Sequence, residues 1–213
     1  MRNKTERLLE ILSGQPFIPV LKIDRIADAV PLAQALVRGG LKAIEITLRT
    51  PDALDAIRRV ADEVPEAIVG AGTILSQKDF SEAEAAGARF IVSPGATRAL
   101  IDAASRSEVP FLPGAVTPSE IMTLRDEGYE VLKFFPAEQS GGTAFLKSLA
   151  SPLAGMRFCP TSGITQKNAS DYLALPNVIC VGGSWVAPEA ELASGNWAAV
   201  EELARQAASL ERG

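Results

Sequence analysis

Short apolar runs alternate along the chain with segments whose apolar residues recur every three or four positions. Runs rich in Val, Ile, Leu and Phe, without strict polar alternation, are typical of parallel strands that are buried on both faces. Recurrence every three or four positions is typical of a helix with one buried face. The apolar runs fall at 17–23, 42–48, 67–72, 89–93, 109–113, 128–136, 156–161 and 178–181.

About eight strands, each followed by a helix, predict an α/β protein of the (β/α)₈ TIM-barrel class. A doubly wound open sheet is the alternative, but it would need a Gly-x-Gly-x-x-Gly turn after the first strand, and the sequence has none. No linker interrupts the pattern, so we expect one domain over residues 1–213. An amphipathic helix at 3–13, with Leu8 and Leu12 on its apolar side, is expected to cap one end of the barrel.

Residues that favour helix N-caps mark the starts of several helices. Their side-chain oxygens accept hydrogen bonds from backbone N–H groups that the first helical turn leaves without partners. The predicted N-caps are Asp24, Thr50, Ser76, Thr97 and Thr117.

Composition narrows the possible functions. A formal net charge of -5 argues against non-specific nucleic-acid binding, and no apolar run is long enough to span a membrane. We therefore expect a cytoplasmic protein in which Cys159 and Cys180 are reduced. The chain has no histidine, which excludes His-assisted nucleophiles and His-ligated zinc.

Lys133 lies inside the apolar run at 128–136. A buried ammonium must reach solvent, find a carboxylate or lose its proton, because burying it alone is costly. A lysine that has lost its proton can attack a ketone and form a Schiff base. Lys133 is therefore the candidate nucleophile.

Strand parity brings a carboxylate toward this lysine. Ile44, Ile46 and Leu48 form a helix-facing set, which turns Glu45 into the barrel, and the same reasoning turns Lys133 inward. The two strands lie across the barrel from each other, so the two side chains can meet in its interior. Two interpretations stay open: a structural ion pair, or an acid/base partner for the lysine at the end of the barrel where active sites form.

Two further residues at strand ends could bind a carboxylate substrate. Arg49 follows the second strand, and a guanidinium can bind a carboxylate through two parallel hydrogen bonds. Thr73 follows the third strand and offers a hydroxyl donor. Either residue could equally be an ordinary surface side chain.

Glycine turns follow the last two strands, at 161–164 and 182–184. Barrels often bind phosphate there through backbone N–H groups, and glycine permits close approach. A Gly-Gly-Ser turn by itself is weak evidence, but paired turns make a phosphate site a reasonable hypothesis.

Short motifs in the right order over most of the chain resemble those of the class I 2-keto-3-deoxy-6-phosphogluconate (KDPG) and 4-hydroxy-2-oxoglutarate (KHG) aldolases. Each motif is short, but together they are specific. The matching segments are EITLRT (45–50), VGAGT (69–73), SPG (93–95), KFFPAE (133–138), RFCPT (157–161) and GGSW (182–185).

The resemblance implies a metal-independent lyase of the Entner-Doudoroff pathway that needs no cofactor and is usually a homotrimer. Its substrate would be a phosphorylated keto-sugar acid, cleaved to pyruvate and glyceraldehyde 3-phosphate, with KHG cleaved to pyruvate and glyoxylate. The implied catalytic residues are the Schiff-base Lys133 and the general acid/base Glu45. The implied substrate-binding residues are Arg49 and Thr73 for the keto acid, Pro94 and Phe135 for the pocket wall, and Gly163, Gly183 and Ser184 for the phosphate.

One position departs from the family pattern. Ser162 stands where the family usually has a second glycine, and its side chain could crowd a phosphate-binding amide or donate to the phosphate. A sibling aldolase for 6-phosphogalactonate is therefore an alternative. A barrel used mainly as an assembly subunit is another.

Overall fold

The protein has an α/β fold in which parallel strands alternate with helices. A computed structural model describes residues 2–211, with side chains from residue 4 onward. The strands are β1 (Phe17–Leu21), β2 (Ala43–Thr47), β3 (Ile68–Gly72), β4 (Ile91–Val92), β5 (Phe111–Leu112), β6 (Gly114–Ala115), β7 (Val131–Phe134), β8 (Arg157–Pro160) and β9 (Val181–Gly183). The helices are α1 (Arg2–Ser13), α2 (Ala29–Arg38), α3 (Ala53–Glu63), α4 (Gln77–Ala85), α5 (Arg98–Arg106), α6 (Pro118–Asp126), α7 (Gly142–Leu149), α8 (Ala169–Leu173), α9 (Glu189–Ser194) and α10 (Trp197–Ala208).

The strands form two parallel sheets. One has the order β5-β4-β3-β2-β1-β9, and the other has the order β6-β7-β8. Two isolated parallel bridges, Phe158 to Val178 and Thr161 to Gly182, link β8 to the chain that leads into and through β9. Parallel neighbours place all the strand C-termini on the same side of the sheets, which is where the predicted site residues fall.

Where one strand is predicted at 109–113, the structure has two short strands, β5 before Pro113 and β6 just beyond the predicted range. Proline has no N–H to give to a ladder, so regular pairing stops at this residue. Its carbonyl still accepts a hydrogen bond of 2.9 Å from the backbone N–H of Lys133. The sequence pattern located this strand but not its interruption.

Two apolar clusters confirm the predicted strand parity. Ile44 and Ile46 belong to a large cluster shared with the helices, whereas Ala43 belongs to a smaller cluster formed by alternate residues of the strands. Val131 also lies in the smaller cluster, and so do Leu8 and Leu12 of α1. Glu45 has the same strand parity as Ala43, and Lys133 has the same parity as Val131. Both side chains are therefore directed to the interior that the smaller cluster occupies.

Helix starts were predicted with mixed success. Ser76 and Thr117 each form a capping box, and the Thr97 side chain accepts from Leu100 N–H, as expected. The prediction for Asp24 is wrong, because its carboxylate pairs with Lys22 at 2.6 Å and α2 begins only at Ala29.

The prediction for Thr50 is also wrong. Its hydroxyl donates to the carbonyl of Ile23 at 2.7 Å, so it joins two loops and does not cap a helix. The α3 helix begins at Ala53. Both errors lie at strand ends, where polar side chains bond across loops.

None of the helices in the described residues is both long enough and apolar enough to cross a membrane. Both cysteines, Cys159 and Cys180, are buried and form no disulfide.

Candidate active site

Glu45 enters the site from the middle of β2, at a place where the neighbouring strand leaves room. The β3 sequence Ile-Val-Gly-Ala-Gly puts glycine at two successive inward positions, Gly70 and Gly72. A Cβ built on Gly72 would overlap the Glu45 carboxylate, and one on Gly70 would overlap the ring of Phe90. The two glycines therefore make the space that the carboxylate and the ring occupy.

Lys133 reaches the same space from β7. Its Nζ lies 3.2 Å from Oε1 and 3.5 Å from Oε2 of Glu45, so the ammonium faces both carboxylate oxygens. The exposed fractions of the two side chains are 6% for Lys133 and 4% for Glu45. The two residues are 88 positions apart in sequence, and their meeting confirms the prediction that they share the interior.

This pair has few partners besides itself. The ring centroid of Phe135 lies 5.6 Å from Lys133 Nζ, within reach of a cation–π attraction. Glu45 accepts no side-chain hydrogen bond except from Lys133 among the described residues. A proton on either group therefore has one short path, to the other member of the pair.

Arg49 follows β2 and is held by the last residue of that strand. Its Nε donates to Thr47 Oγ1 at 2.9 Å, and that hydroxyl donates to the carbonyl of Leu21 at 2.8 Å. The exposed Arg49 thus keeps its remaining guanidinium N–H groups for another acceptor. This anchoring favours a fixed, planar donor over a mobile surface charge.

A cleft of about 340 Å³ opens beside Arg49. Ser184, Trp185 and Lys22 line it together with Arg49, so the residues expected to bind a carboxylate and a phosphate share one cavity. Lys133 and Glu45 do not line this cleft.

Thr73 and Pro94 stand at the ends of β3 and β4. Thr73 has a φ of 59°, in the left-handed region that a β-branched residue rarely adopts. The carbonyl of Pro94 lies against Gly114, where a Cβ would collide with it. Among the described residues no hydrogen bond joins Thr73 or Pro94 to the Lys133–Glu45 pair.

The two glycine segments predicted as turns are built differently from each other. Gly163 lies in a turn after β8, but the prediction of a turn at Gly183 is wrong, because Gly183 is the last residue of β9. Gly183 is buried, and a Cβ there would lie 3.0 Å from the ring of Phe17 and 3.3 Å from the carbonyl of Ile164. Gly163 is exposed and has a φ of 76°. Ser162 before it also has a positive φ, 85°, and its hydroxyl lies 3.2 Å from Gln139 Oε1. The serine therefore adopts a glycine-like backbone, with its side chain turned toward Gln139.

Within residues 2–211 there is no group of three or more His, Cys, Asp or Glu side chains that could hold a metal ion.

A family model described as KDPG and KHG aldolase matches residues 8–203. The chain belongs to the KDPG and KHG aldolase family. It is 50% identical over 207 residues to 2-dehydro-3-deoxy-phosphogluconate aldolase of Pseudomonas aeruginosa, covering 97% of this chain and 94% of that protein. It is 47% identical over 207 residues to the KHG/KDPG aldolase of Escherichia coli, covering 97% of both.

Solved structures of KDPG aldolases share the fold of this family member. The KDPG aldolase of Zymomonas mobilis with 3-phosphoglycerate superposes with a TM-score of 0.94 at 44% identity, over 98% of each chain. The KDPG aldolase of Legionella pneumophila superposes with a TM-score of 0.92 at 43% identity, over 94% of this chain and 98% of that one. The Legionella structure contains pyruvate captured at low pH as a covalent carbinolamine intermediate.

Two residues of this KDPG and KHG aldolase family member were not singled out by sequence reasoning. Thr47 orients Arg49, and Lys22 lines the cleft. Both lie at or just beyond the C-terminal ends of β2 and β1, where sites form in parallel α/β folds. Examining every polar residue at those ends would have found them.

Proposed function

We propose that this family member is a class I aldolase that cleaves KDPG to pyruvate and glyceraldehyde 3-phosphate, and KHG to pyruvate and glyoxylate. The observation that supports this most strongly is the buried contact of 3.2 Å between Lys133 Nζ and Glu45. A buried lysine beside a buried carboxylate supplies the two groups that Schiff-base chemistry requires, a nucleophile and a proton carrier.

In the proposed mechanism, Lys133 first gives a proton to Glu45 and attacks the C2 carbonyl as a neutral amine. Glu45 gives that proton to the carbinolamine hydroxyl, which leaves as water, so that Glu45 is a carboxylate again and an iminium is formed. The iminium accepts the electrons of the C3–C4 bond when that bond breaks. Glu45, acting through a water, takes the proton of the C4 hydroxyl as the aldehyde leaves. It then returns a proton to C3 of the enamine, and hydrolysis of the iminium releases pyruvate and the amine.

Binding would be divided between the two ends of the substrate. Arg49 and Thr73 would bind the carboxylate next to the reacting carbonyl. Gly163, Gly183 and Ser184 would bind the phosphate through backbone N–H groups. Phe135 and Pro94 would form the wall between them. The cleft that Arg49 and Ser184 both line supports the binding of the two anionic groups of the substrate in one cavity.

We also propose that the two sheets form one closed (β/α)₈ barrel, in a single domain over residues 1–213, with α1 as its N-terminal cap. The bridges between β8 and β9 and the hydrogen bond from Lys133 N–H to the Pro113 carbonyl support closure. Leu8 and Leu12, which are buried in the interior cluster, support the cap. Family membership supports a cytoplasmic homotrimer, and light scattering at assay concentration tests the oligomeric state.

The test of function is steady-state cleavage of KDPG, KHG and 6-phospho-2-keto-3-deoxygalactonate, followed by the pyruvate released. We expect KDPG to give the highest kcat/KM, and Lys133→Ala to remove activity on every substrate. A higher kcat/KM for the galactonate substrate than for KDPG would favour the alternative function, that of the sibling aldolase. Activity that persists in Lys133→Ala would contradict the mechanism.

A further inference from the structure

The segment that follows β7, the strand of Lys133, is hydrogen-bonded to the turn after β8 that we propose to bind phosphate. Ala137 N–H donates to the carbonyl of Thr161 at 2.9 Å, and Glu138 N–H donates to the carbonyl of Ser162 at 3.3 Å. The N–H of Gly163 donates to no group in the described part of the chain. The carbonyls of Thr161 and Ser162 are thus bound by N–H groups of the segment after β7, while the Gly163 N–H is available to an acceptor outside the described residues.

The side chain of Glu138 lies directly over this turn. A Cβ on Gly163 would come within 2.5 Å of Glu138 Cγ and 2.6 Å of its Cβ. Gly163 therefore needs to be glycine for two reasons, its positive φ and this close packing. Any change in the Glu138 side chain is transmitted to the turn by contact.

Tyr172 fixes where the Glu138 side chain points. Its ring is fully buried, and its hydroxyl donates to Glu138 Oε1. Burial, followed by the hydrogen bond to Glu138, raises the pKa of Tyr172, so the hydroxyl remains a donor across the neutral range. The short α8 helix that carries Tyr172 begins after Asn168, whose amide donates to the carbonyl of Gly163 at 3.0 Å. The turn is therefore held from two sides.

A carboxylate beside an anion site needs an explanation, since like charges repel and its distance from a bound phosphate depends on where the side chain is held. Here Oε1 is engaged by the Tyr172 hydroxyl on the side of α8. The same contact orders the residue five positions after Lys133 in the chain. The geometry thus connects the strand of the nucleophile to the turn proposed to receive the phosphate.

We propose that Tyr172 and Glu138 are positioning residues, which hold the Ser162–Gly163 turn at a fixed place relative to Lys133 so that a phosphorylated substrate is bound in register. This inference rests on the function proposed above. Neither side chain takes part in the chemical steps. Their contribution is specific to substrates that carry a phosphate.

The test compares Tyr172→Phe, Glu138→Ala and Glu138→Gln on KDPG and on the unphosphorylated KHG. The loss of a hydrogen bond to a charged group is expected to raise KM for KDPG about tenfold in Tyr172→Phe and in Glu138→Ala. The kcat for KDPG is expected to change about threefold or less, and kcat/KM for KHG is expected to fall much less than that for KDPG. Glu138→Gln keeps an oxygen acceptor for the tyrosine and is expected to retain a KM within about threefold of the wild type.

The chain supplies a matched control, since Tyr129 is its other tyrosine. Tyr129 packs edge-on against Phe111 at 6.0 Å, and no hydrogen bond of its hydroxyl is present among the described residues. Tyr129→Phe removes the same atom and should leave both substrates unaffected. Inorganic phosphate as a competitive inhibitor of KHG cleavage gives a second readout, with weaker inhibition expected only in Tyr172→Phe and Glu138→Ala.

Three results would overturn the inference while leaving the aldolase function intact. They are equal losses on KDPG and KHG in Tyr172→Phe, an unchanged KM for KDPG in that variant, and a Glu138→Gln variant as impaired as Glu138→Ala. A wild-type protein that cleaves neither substrate would instead refute the proposed function. Trapping of pyruvate by borohydride in each variant shows whether the lysine site is formed, so a variant that fails to fold is distinguished from one that has lost only phosphate binding.

Discussion

The ion pair inside the strands and the ion pairs on the surface differ in burial more than in distance. Lys133 and Glu45 are separated by 3.2 Å with 6% and 4% of their side chains exposed. On the surface, Arg98 lies 2.8 Å from Asp102 and 2.7 Å from Glu127, yet 70% of its side chain is exposed. The shorter contacts are the weaker ones, because water screens exposed charges and both side chains lose conformational freedom.

This difference indicates why the interior pair is present. Two charges removed from water need not stabilise a fold, and well-packed apolar residues of similar size are often as good or better. Gly72 also lacks the side chain that would otherwise occupy the space of the Glu45 carboxylate. A pair that is costly to bury and is given space by its neighbours is better explained by chemistry than by stability. Four predictions test this contrast.

The largest effect is expected from replacing both interior charges with apolar residues. Lys133→Met combined with Glu45→Leu should abolish aldol cleavage, with a fall in kcat/KM of at least about 10⁴-fold. Its free energy of unfolding in urea should be unchanged or raised by about 1–4 kcal/mol, as for other buried pairs that were replaced. A double variant that is inactive because it is unfolded would contradict the claim that the pair is retained for chemistry.

Glu45→Gln separates proton transfer from Schiff-base formation. The amide can still accept a hydrogen bond from Lys133 but cannot carry a proton between steps. Exchange of the pyruvate methyl protons, followed by NMR in D₂O, should slow by about 10²–10⁴-fold. Borohydride should still trap pyruvate on Lys133. If exchange proceeds at the wild-type rate, Glu45 is not the acid/base.

Glu45→Ala leaves the buried ammonium without a partner. The free energy of unfolding should fall by about 3–5 kcal/mol, the cost of an uncompensated buried charge. The matched surface change is Asp102→Ala, which removes one partner of Arg98 and should lower the urea midpoint far less. Equal losses of stability in Glu45→Ala and Asp102→Ala would show that the buried ion pair and the surface ion pair do not differ in this respect.

The smallest effect concerns acid sensitivity at the surface. The hydrogen bond from Arg38 lowers the pKa of Glu201 from its ordinary value of 4.5, with a smaller contribution from Arg205. Its stabilisation is therefore present above pH 4.5 and is lost as the pH falls through the lower folded-state pKa. Urea midpoints at pH 7 and at pH 3 should differ less in Glu201→Gln than in the wild type, by a small margin. A larger difference in the variant would show that the sign is wrong.

Local chemistry in the sequence predicted much of the fold. Alternation along β2 was enough to direct Ile44 to the helices and Glu45 to the interior, because a strand has only two faces. The capping boxes at Ser76 and Thr117 were also predictable, since both partners lie within one helical turn.

What the sequence did not predict depends on distant partners. Thr50 looks like a helix cap, but its hydroxyl donates to the carbonyl of Ile23, 27 positions away in sequence. The contact between Tyr172 and Glu138 joins residues 34 positions apart and has no local signal. Glu138 lies in one of the family motifs, but the motif does not indicate what the side chain does. The structure shows that it accepts a hydrogen bond from the Tyr172 hydroxyl.

The most direct measurement is the site of the covalent adduct. The protein is incubated with pyruvate and sodium borohydride and digested, and its peptides are analysed by mass spectrometry. We expect a reduced pyruvate adduct on Lys133 and none in Lys133→Ala. Lys22 is the fair competitor, because it lines the adjacent cleft and is exposed beside Asp24. An adduct on Lys22, or trapping that survives in Lys133→Ala, would contradict the claim that the buried amine is the nucleophile.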